Sequence, residues 1–570
     1  MKQFKLGLFA LMIMFFFLSP GLFASEHSSA HFNMILVGDP IIEDIRFLSL
    51  NTGRGILSFT FPLSHHEVRN FLDSIDESIL SAPALEAFNR INRRLGLQAP
   101  FVNFSSDNFS VFLNINSTLE VKARTNQNIS WNTWYPGGSK TIPPVISLPT
   151  MVFLGSFLQL YLEPVWRMSP VHYPFKGSFG FSAPLDYFQY DRLMPFRAFL
   201  AAGGPMWNFQ IGRDRLSWGT GHMGNLTVSD NPHFYDFMRF SFFYRFFKYS
   251  VLVAQMPLDI SHGLLCDTVF PSGVPPGHLY RTMNRYFYLH RLDFMLFNSL
   301  SIGISEGSMV GNSPLEIRFL NPMIVFHQLI AWTEYDRWGN RQNGKDGHMV
   351  GPIFSVDVNW NIINSLSVYG QFVLNQFEFD YEVESAGDHP SPDGMGFLAG
   401  IQYSHLFNNW ASVFFFEFVH TSPFLNLHPS PFASFIHMRI LLFDPPLYSF
   451  IGFPRDLMMF TLGARFFLED TLSVSGVFSL LFNGQRDIYY DWLAAHSSRE
   501  ERTPSGIVER QIIGTVSARW KPRMQDLLVL RKSSLAFNGS LTGIHSANNG
   551  HVSGANETGL QAAFSVSVSF

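Results

Sequence analysis

Phe564-Ser565-Val566-Ser567-Val568-Ser569-Phe570 closes the chain and decides how the rest of it is read. Apolar and hydroxyl side chains alternate without a break, and a period of two marks a strand with one apolar and one polar face. The composition gives that apolar row a cover. Charged residues make up 15% of the 570 positions, against about 25% in an ordinary soluble chain. Aromatics reach 16%, with 62 Phe. After the N-terminus no run of about 20 apolar residues occurs, so crossing by helices is excluded. A chain rich in aromatics and poor in charge, whose apolar residues fall at every second position, fits a transmembrane antiparallel β-barrel.

Working back from that strand, turns and loops alternate as a barrel requires, with short turns at one end and long loops at the other. A strand over 558–570 leaves the Asn-, Gly- and Ser-rich stretch from His545 to Glu557 as an outside loop. Strand 533–544 then rises from a short turn around Lys521-Pro522-Arg523, and strand 508–519 descends from the polar loop 484–506. Glu469-Asp470 and Asn408-Asn409 make inner turns, the latter between 394–406 and 410–421. Segments 366–383, 350–360, 301–310, 286–297, 250–256, 238–246 and 206–213 continue the series. About fourteen strands lie from Met206 onward and about four before it, around 109–124 and 151–163 among them, which predicts a barrel of about 18. A last strand ending on Phe570 resembles the signal by which bacterial outer-membrane barrels are inserted, so barrel-assembly machinery and outer-membrane lipid are expected partners.

Residues 1–24 read as an export signal: Lys2 and Lys5, an apolar run from Leu6 to Phe17, and cleavage after Ala24 or Ser25. Residues 25–100 read as a periplasmic region, helical over 58–96 as two amphipathic helices, and 101–570 as the barrel. Ser64-His65-His66-Glu67 has capping-box spacing, followed by Val68, Phe71, Leu72 and Ile75 on one face. A second helix begins near Ser81, with Pro83 in its first turn, a stripe of Leu85, Phe88, Ile91 and Leu95, and Gly96 as its stop. The pair is predicted to pack under the barrel mouth. Cys266 is the lone cysteine and rules out an internal disulfide, and a net charge of −5 gives no footprint for nucleic acid.

The region from Gly212 to Ser241 is the densest in signals. It holds Gly212-Arg213-Asp214-Arg215, then Trp218-Gly219-Thr220-Gly221, then Leu226-Thr227-Val228-Ser229-Asp230-Asn231-Pro232. The glycines permit tight turns and Asn231-Pro232 starts another. Arg213 and Arg215, two apart, are predicted to point together into the lumen, where they require carboxylate partners. Further on come His290-Arg291-Leu292-Asp293, Ile304-Ser305-Glu306-Gly307, Leu320-Asn321-Pro322, Leu366-Ser367-Val368-Tyr369-Gly370-Gln371, Phe416-Glu417-Phe418 and Ser422-Pro423-Phe424. In this order and spacing, from about 60 to 455, the chain resembles the Wzi family of capsule-assembly proteins. The helical pair after Pro62-Leu63-Ser64 fits that family's larger members. The resemblance implies an outer-membrane barrel with a small periplasmic helical bundle, in a diderm bacterium, that binds surface polysaccharide and helps attach it. It implies no enzymatic chemistry. Arg213, Arg215, Trp218, Asn231, Glu306 and Asn321 are then motif residues expected in or near the lumen.

The loops suit a glycan. Trp332, Glu334, Tyr335, Trp338 and Arg341 in one, and Tyr489, Tyr490 and Trp492 in another, offer aromatic faces for sugar rings beside groups that bond hydroxyls. The competing reading makes these aromatics an interface girdle. Glu378, Asp380, Glu382 and Glu384 share one strand face, which is either neutralised by arginines or binds cations. Leu315 to Leu329 is too apolar for a free loop and is predicted to fold inward and narrow the lumen, with an extra strand pair as the alternative. No His-Glu-x-x-His, Walker A or Gly-x-Ser-x-Gly pattern occurs, so no enzyme, cofactor or metal is expected. The alternative function is a porin-like channel for small solutes, cation-selective through the acidic strand.

Overall fold

The structure, a computed structural model, describes residues 32–96, 101–106, 108–129, 142–172, 179–192, 195–257, 285–311, 314–321, 350–376, 393–407, 410–428, 433–439, 447–468, 471–488, 502–522 and 533–570. Strands dominate. The first three are interrupted: β1 runs as Phe109–Leu113 and Asn116–Arg124, and β2 as Ile146–Ser147 and Thr150–Leu154. The third, β3, runs as Leu158–Glu163 and Val165–Trp166. Next come β4 (Arg197–Gly204), β5 (Trp207–Asp214), β6 (Tyr235–Tyr244), β7 (Phe247–Gln255), β8 (Arg285–Leu296) and β9 (Leu300–Gly311). They are followed by β10 (Val350–Ile363), β11 (Leu366–Gln376), β12 (Gly394–Phe407), β13 (Trp410–Thr421) and β14 (Leu457–Leu468). The series ends with β15 (Leu472–Asn483), β16 (Glu509–Trp520), β17 (Ser534–Ala547) and β18 (Asn556–Ser569). Each pairs antiparallel with the next, and β18 returns to β1 with Ser569 opposite Asn116. Eighteen strands therefore close a ring, which leaves its members no free edge.

Alternation explains why these sequences form a wall in lipid. The row Ile401, Phe416, Leu462 and Phe478 crosses four neighbouring strands on one face. Its members are 42%, 41%, 59% and 46% exposed, with no protein over them. A continuous apolar band this exposed is stable only against hydrocarbon. The intervening residues turn inward: Glu417 and Val419 beside Phe416 and Phe418, and Ser565 beside Phe564. The terminal strand behaves as its alternation predicts, with Phe564 outside, Ser567 bonded inside to Thr118 at 2.9 Å, and the Phe570 amide donating to the Ile115 carbonyl at 2.9 Å.

Turns and loops follow the expected parity, with turns at 204–207, 244–247, 296–300, 363–366 and 468–472 all at one end. Near the C-terminus that rule weakens. The connection from Trp520 to Ser534 is longer than a turn, while Ala547 to Asn556 is compact, closed by a short 3-10 turn at Asn549–His551.

Three helices pack at the short-turn end: α1 (Ile41–Thr52), α2 (His65–Leu72) and α3 (Ala82–Leu95). The capping box on α2 is complete: the Glu67 amide donates to Ser64 Oγ and the Ser64 amide to Glu67 Oε2. On α3 the buried stripe is Ala84, Ala87, Phe88, Ile91 and Leu95, while Leu85 faces out, because small residues bring α3 close against α1. Helix α1 was not read from the sequence, although Ile41, Ile45 and Leu48 carry its apolar face. Residues 58–64, expected as the helical approach, are extended instead: Thr60–Phe61 pairs with Ser217–Trp218 inside the barrel. The helices share an apolar core with Leu406, Ala411, Val413 and Phe467 of the wall, so they close part of the mouth instead of hanging free below it.

Candidate functional site

The lumen is filled by the chain itself, and the sequences around Trp218 and Phe435 do the filling. The β5–β6 connection sends Leu216, Trp218, Met223, Leu226 and Val228 inward, and the β13–β14 connection adds Leu425, Phe435, Ile451 and Phe453. They pack on the inward residues Phe287, Leu289, Ile353, Val373 and Met459. A single apolar core therefore spans the inside of a barrel whose outside is also apolar.

Polar groups fix how this plug sits, since each buried amide away from water needs a partner. Glu417 on β13, fully buried, accepts the His222 amide at 2.8 Å, the Met223 amide at 3.1 Å and the Tyr369 hydroxyl at 3.0 Å. Gln371 on β11 accepts the Leu226 amide at 2.9 Å and donates to Asn225 Oδ1 at 2.9 Å. Gly219, at φ +132°, lies so close that a Cβ there would stand 1.6 Å from Gln371 Nε2, so only glycine fits. The two plug loops are joined by Ser229 Oγ donating to the Ile451 carbonyl at 2.9 Å and by Asn231 Nδ2 donating to the Gly452 carbonyl.

The plug also reaches the helices. Arg46 of α1 donates to the Thr220 carbonyl at 2.8 Å, and the His222 ring stacks on Phe415 with centroids 4.2 Å apart. The Gly219 amide donates to the Phe59 carbonyl at 2.9 Å. A buried cation, Lys248 on β7, pairs with Glu67 of α2 and donates to Thr60 Oγ1 at 2.8 Å. Burial pushes the Glu67 carboxyl up, but Lys248 and Arg239 reverse that and hold it below the usual carboxylate range. His65 is held neutral, its pKa down to about 4, by burial, with His66 and Arg69 adding to the effect. Its Nδ1 accepts the Asn33 amide at 3.1 Å.

The motif residues divide between the two faces of the wall. Trp218 and Asn231 are in the plug, and Arg215 pairs with Asp230 of the same loop at 2.6 Å. Arg291 bridges Asp293 and Asp357 inside, and Asp293 accepts the Ser58 hydroxyl at 2.9 Å. Arg213 departs from expectation. Its register partner Asp236 alternates with the inward Tyr235 and Phe237, so this bidentate pair, at 2.7 and 2.8 Å, lies on the outer face near the long-loop end. The predicted shared direction with Arg215 fails because the strand ends at Asp214. Glu306 also faces outward, level with His290 and Phe354, and Asn321 is exposed on a turn.

The segment after β9 is a second correction. Its described part, 314–321, does not fold inward. Phe319 stacks on Tyr288 at 4.8 Å, its carbonyl accepts from His290 Nε2 at 2.8 Å, and the Glu316 amide donates to the Tyr288 hydroxyl at 2.9 Å. Tyr288 and His290 alternate with the inward Phe287 and Leu289, so this strap covers the outer wall. The inner position is already taken by Phe435, which packs on Phe287.

Trp332, Glu334, Tyr335, Trp338, Arg341, Tyr489, Tyr490 and Trp492, and the acidic Glu378, Asp380, Glu382 and Glu384, lie outside the described residues, as does Cys266. Among the described residues no cluster of His, Cys, Asp and Glu is placed to hold a metal ion. Asn225 accepts from the Gly221 amide at 3.2 Å and from Gln371 Nε2 at 2.9 Å and donates to Ser217 Oγ at 3.0 Å, which ties the plug's turns together.

A closed antiparallel ring with an apolar belt and a self-filled lumen defines an outer-membrane β-barrel with an internal plug. Residues 151–430 match the family model of the capsule assembly protein Wzi. Among solved structures the chain is similar to Wzi of Escherichia coli, described as an outer-membrane protein involved in group 1 capsule assembly and a carbohydrate-binding β-barrel. That likeness has a TM-score of 0.52 at 16% identity, covering 94% of this chain and 99% of that one. OprD and OccD3 (OpdP) of Pseudomonas aeruginosa give TM-scores of 0.36 and 0.40, each at 8% identity over 81% of this chain, and 94% and 91% of theirs. No curated protein matches the chain.

Proposed function

We propose that this protein binds surface polysaccharide, capsular or exopolysaccharide, and helps attach or assemble it at the outer face of the outer membrane. The observation that carries this reading is the filled lumen: with Trp218, Leu226 and Phe435 packed into one core across the barrel, the outer loops are the surface left for a large hydrophilic ligand. The match of residues 151–430 to the capsule-assembly family model points the same way. The ligand-contacting groups are the aromatic and polar side chains of the long loops, Trp332, Tyr335, Trp338, Arg341, Tyr489, Tyr490 and Trp492, with Glu334. Export through a cleaved signal and insertion through the strand ending in Phe570 complete the picture, and the chain carries no catalytic role.

The test is capture of labelled polysaccharide from the producing organism by proteoliposomes holding the purified protein. Binding that falls about tenfold in a Trp332→Ala/Trp338→Ala variant supports the reading. Capture no greater than by empty liposomes contradicts it.

A further inference from the structure

The plug does not fill the whole barrel. On the wall formed by β15 to β18 and β1 a cavity of about 220 Å³ remains, whose lining includes Ser475, Ser517, Arg519, Asn538, Ser565 and Glu120. Its geometry is regular. Ser473, Arg519, Asn538, Ser565 and Glu120 lie opposite one another in a single cross-strand row over five strands. Ser475, Ser517, Ser540, Ala563 and Lys122 form the next row toward the long-loop end. Two rungs further along the same inner face, Ile513 and Ile544, joined by Leu481, belong to the plug core. The cavity is therefore a vestibule that lies between the plug core and the short-turn end.

We propose that this vestibule is a second saccharide subsite, facing the periplasm, that takes one acidic sugar residue of the hexuronate class. The proposal rests on the polysaccharide reading for its ligand class and extends it to the opposite side of the membrane.

Three features of the lining select that ligand. The walls are hydroxyl and amide groups held in place laterally, Ser475 to Ser517 at 2.8 Å and Asn538 to Ser565 at 3.1 Å, with lone pairs and protons left for a ligand's hydroxyls. The size lies below the roughly 300 Å³ at which drug-sized sites begin, which suits one pyranose ring and excludes an oligosaccharide. The charge favours an anion. Glu120 is already paired with Lys122 at 3.3 Å, whereas Arg519 has no acceptor among the described residues. In the filled sector Arg197, Arg239 and Arg291 each hold an acceptor: Asp214, the Pro62 carbonyl and Asp293. Arg519 therefore keeps an open fork of donors of the kind that binds a carboxylate in bidentate fashion.

Calorimetric titration of the full-length protein in detergent with glucuronate, glucose and acetate tests this. Glucuronate is expected to bind, with glucose and acetate each at least about tenfold weaker, one lacking the anion and the other the hydroxyls. Arg519→Gln is expected to weaken glucuronate about tenfold, with Arg519→Lys in between, and Ser517→Leu to abolish binding by filling the space. Heat-modifiable migration in gels confirms that each variant is folded. No glucuronate binding to the wild type, binding untouched by Arg519→Gln and Ser517→Leu, or equal binding of acetate overturns the proposal. Polymer capture separates the two readings. If Arg519→Gln binds polymer normally while the wild type ignores glucuronate, only the subsite falls. If glucuronate binds and polymer does not, the surface-binding function falls and the subsite stands.

Discussion

Glu417 shows how much one side chain decides in this fold. Placed inward on a strand whose neighbours Phe416 and Phe418 face lipid, it caps two plug amides, those of His222 and Met223. Glu417→Ala leaves both unsatisfied and is expected to destabilise the plug's seating by about 3 kcal/mol. Hydrogen exchange at His222 and Met223 should then accelerate about 100-fold; unchanged exchange would show that the cap is dispensable. His65 sets a pH dependence at the same scale. Because its pKa is about 4 in the folded chain against 6.5 when unfolded, its contribution is intact above pH 6.5 and is lost as pH falls toward 4. Thermal melts between pH 7 and pH 4 should show the N-terminal unit weakening across that window, and His65→Gln should flatten the dependence. A wild-type profile that stays flat would contradict it.

Among the elements, the contact between α2 and the wall is the one most exposed to disruption. Glu67 serves at once as helix cap and as the partner of buried Lys248. Glu67→Ala strands that cation inside the barrel and is expected to cost about 3–5 kcal/mol. The readout is limited proteolysis between residues 56 and 96, which should become rapid while the barrel stays resistant; equal resistance in both proteins would show that the helices are held by packing alone. Elements with a strong period were legible in the sequence. The terminal strand, the capping box and the alternation of turns and loops from Met206 to about 520 stand as read, because alternation and cap chemistry are local; beyond that the expected short turn around 521–523 is a longer connection and the expected loop 545–557 a compact one. Helix α1 was missed, and residues 58–64 were read as helical, because their strand pairing with Ser217–Trp218 is imposed by a partner more than 150 positions away. The strap at 314–321 was recognised as too apolar for a loop, but hydrophobicity alone does not say which face of a membrane barrel it covers.

Over the whole molecule, about eighteen strands was a sound reading because the parity of turns leaves few alternatives. The site was less legible. The motif residues were found, but their division into plug anchors and outer-face residues depends on register, which no short motif reveals. Arg213 and Glu306 were placed inside for that reason, while Gln371 and Glu417, the side chains that hold the plug, were noticed only as parts of motifs. What the folded chain adds is a barrel that spends its interior on its own loops, and a channel and a binding protein differ on that point. Single-channel conductance of the purified protein in planar bilayers tests it most directly. The wild type is expected to be silent, and a variant lacking residues 216–230 to open. Steady, cation-selective steps from the wild type would contradict the account and make the protein a porin.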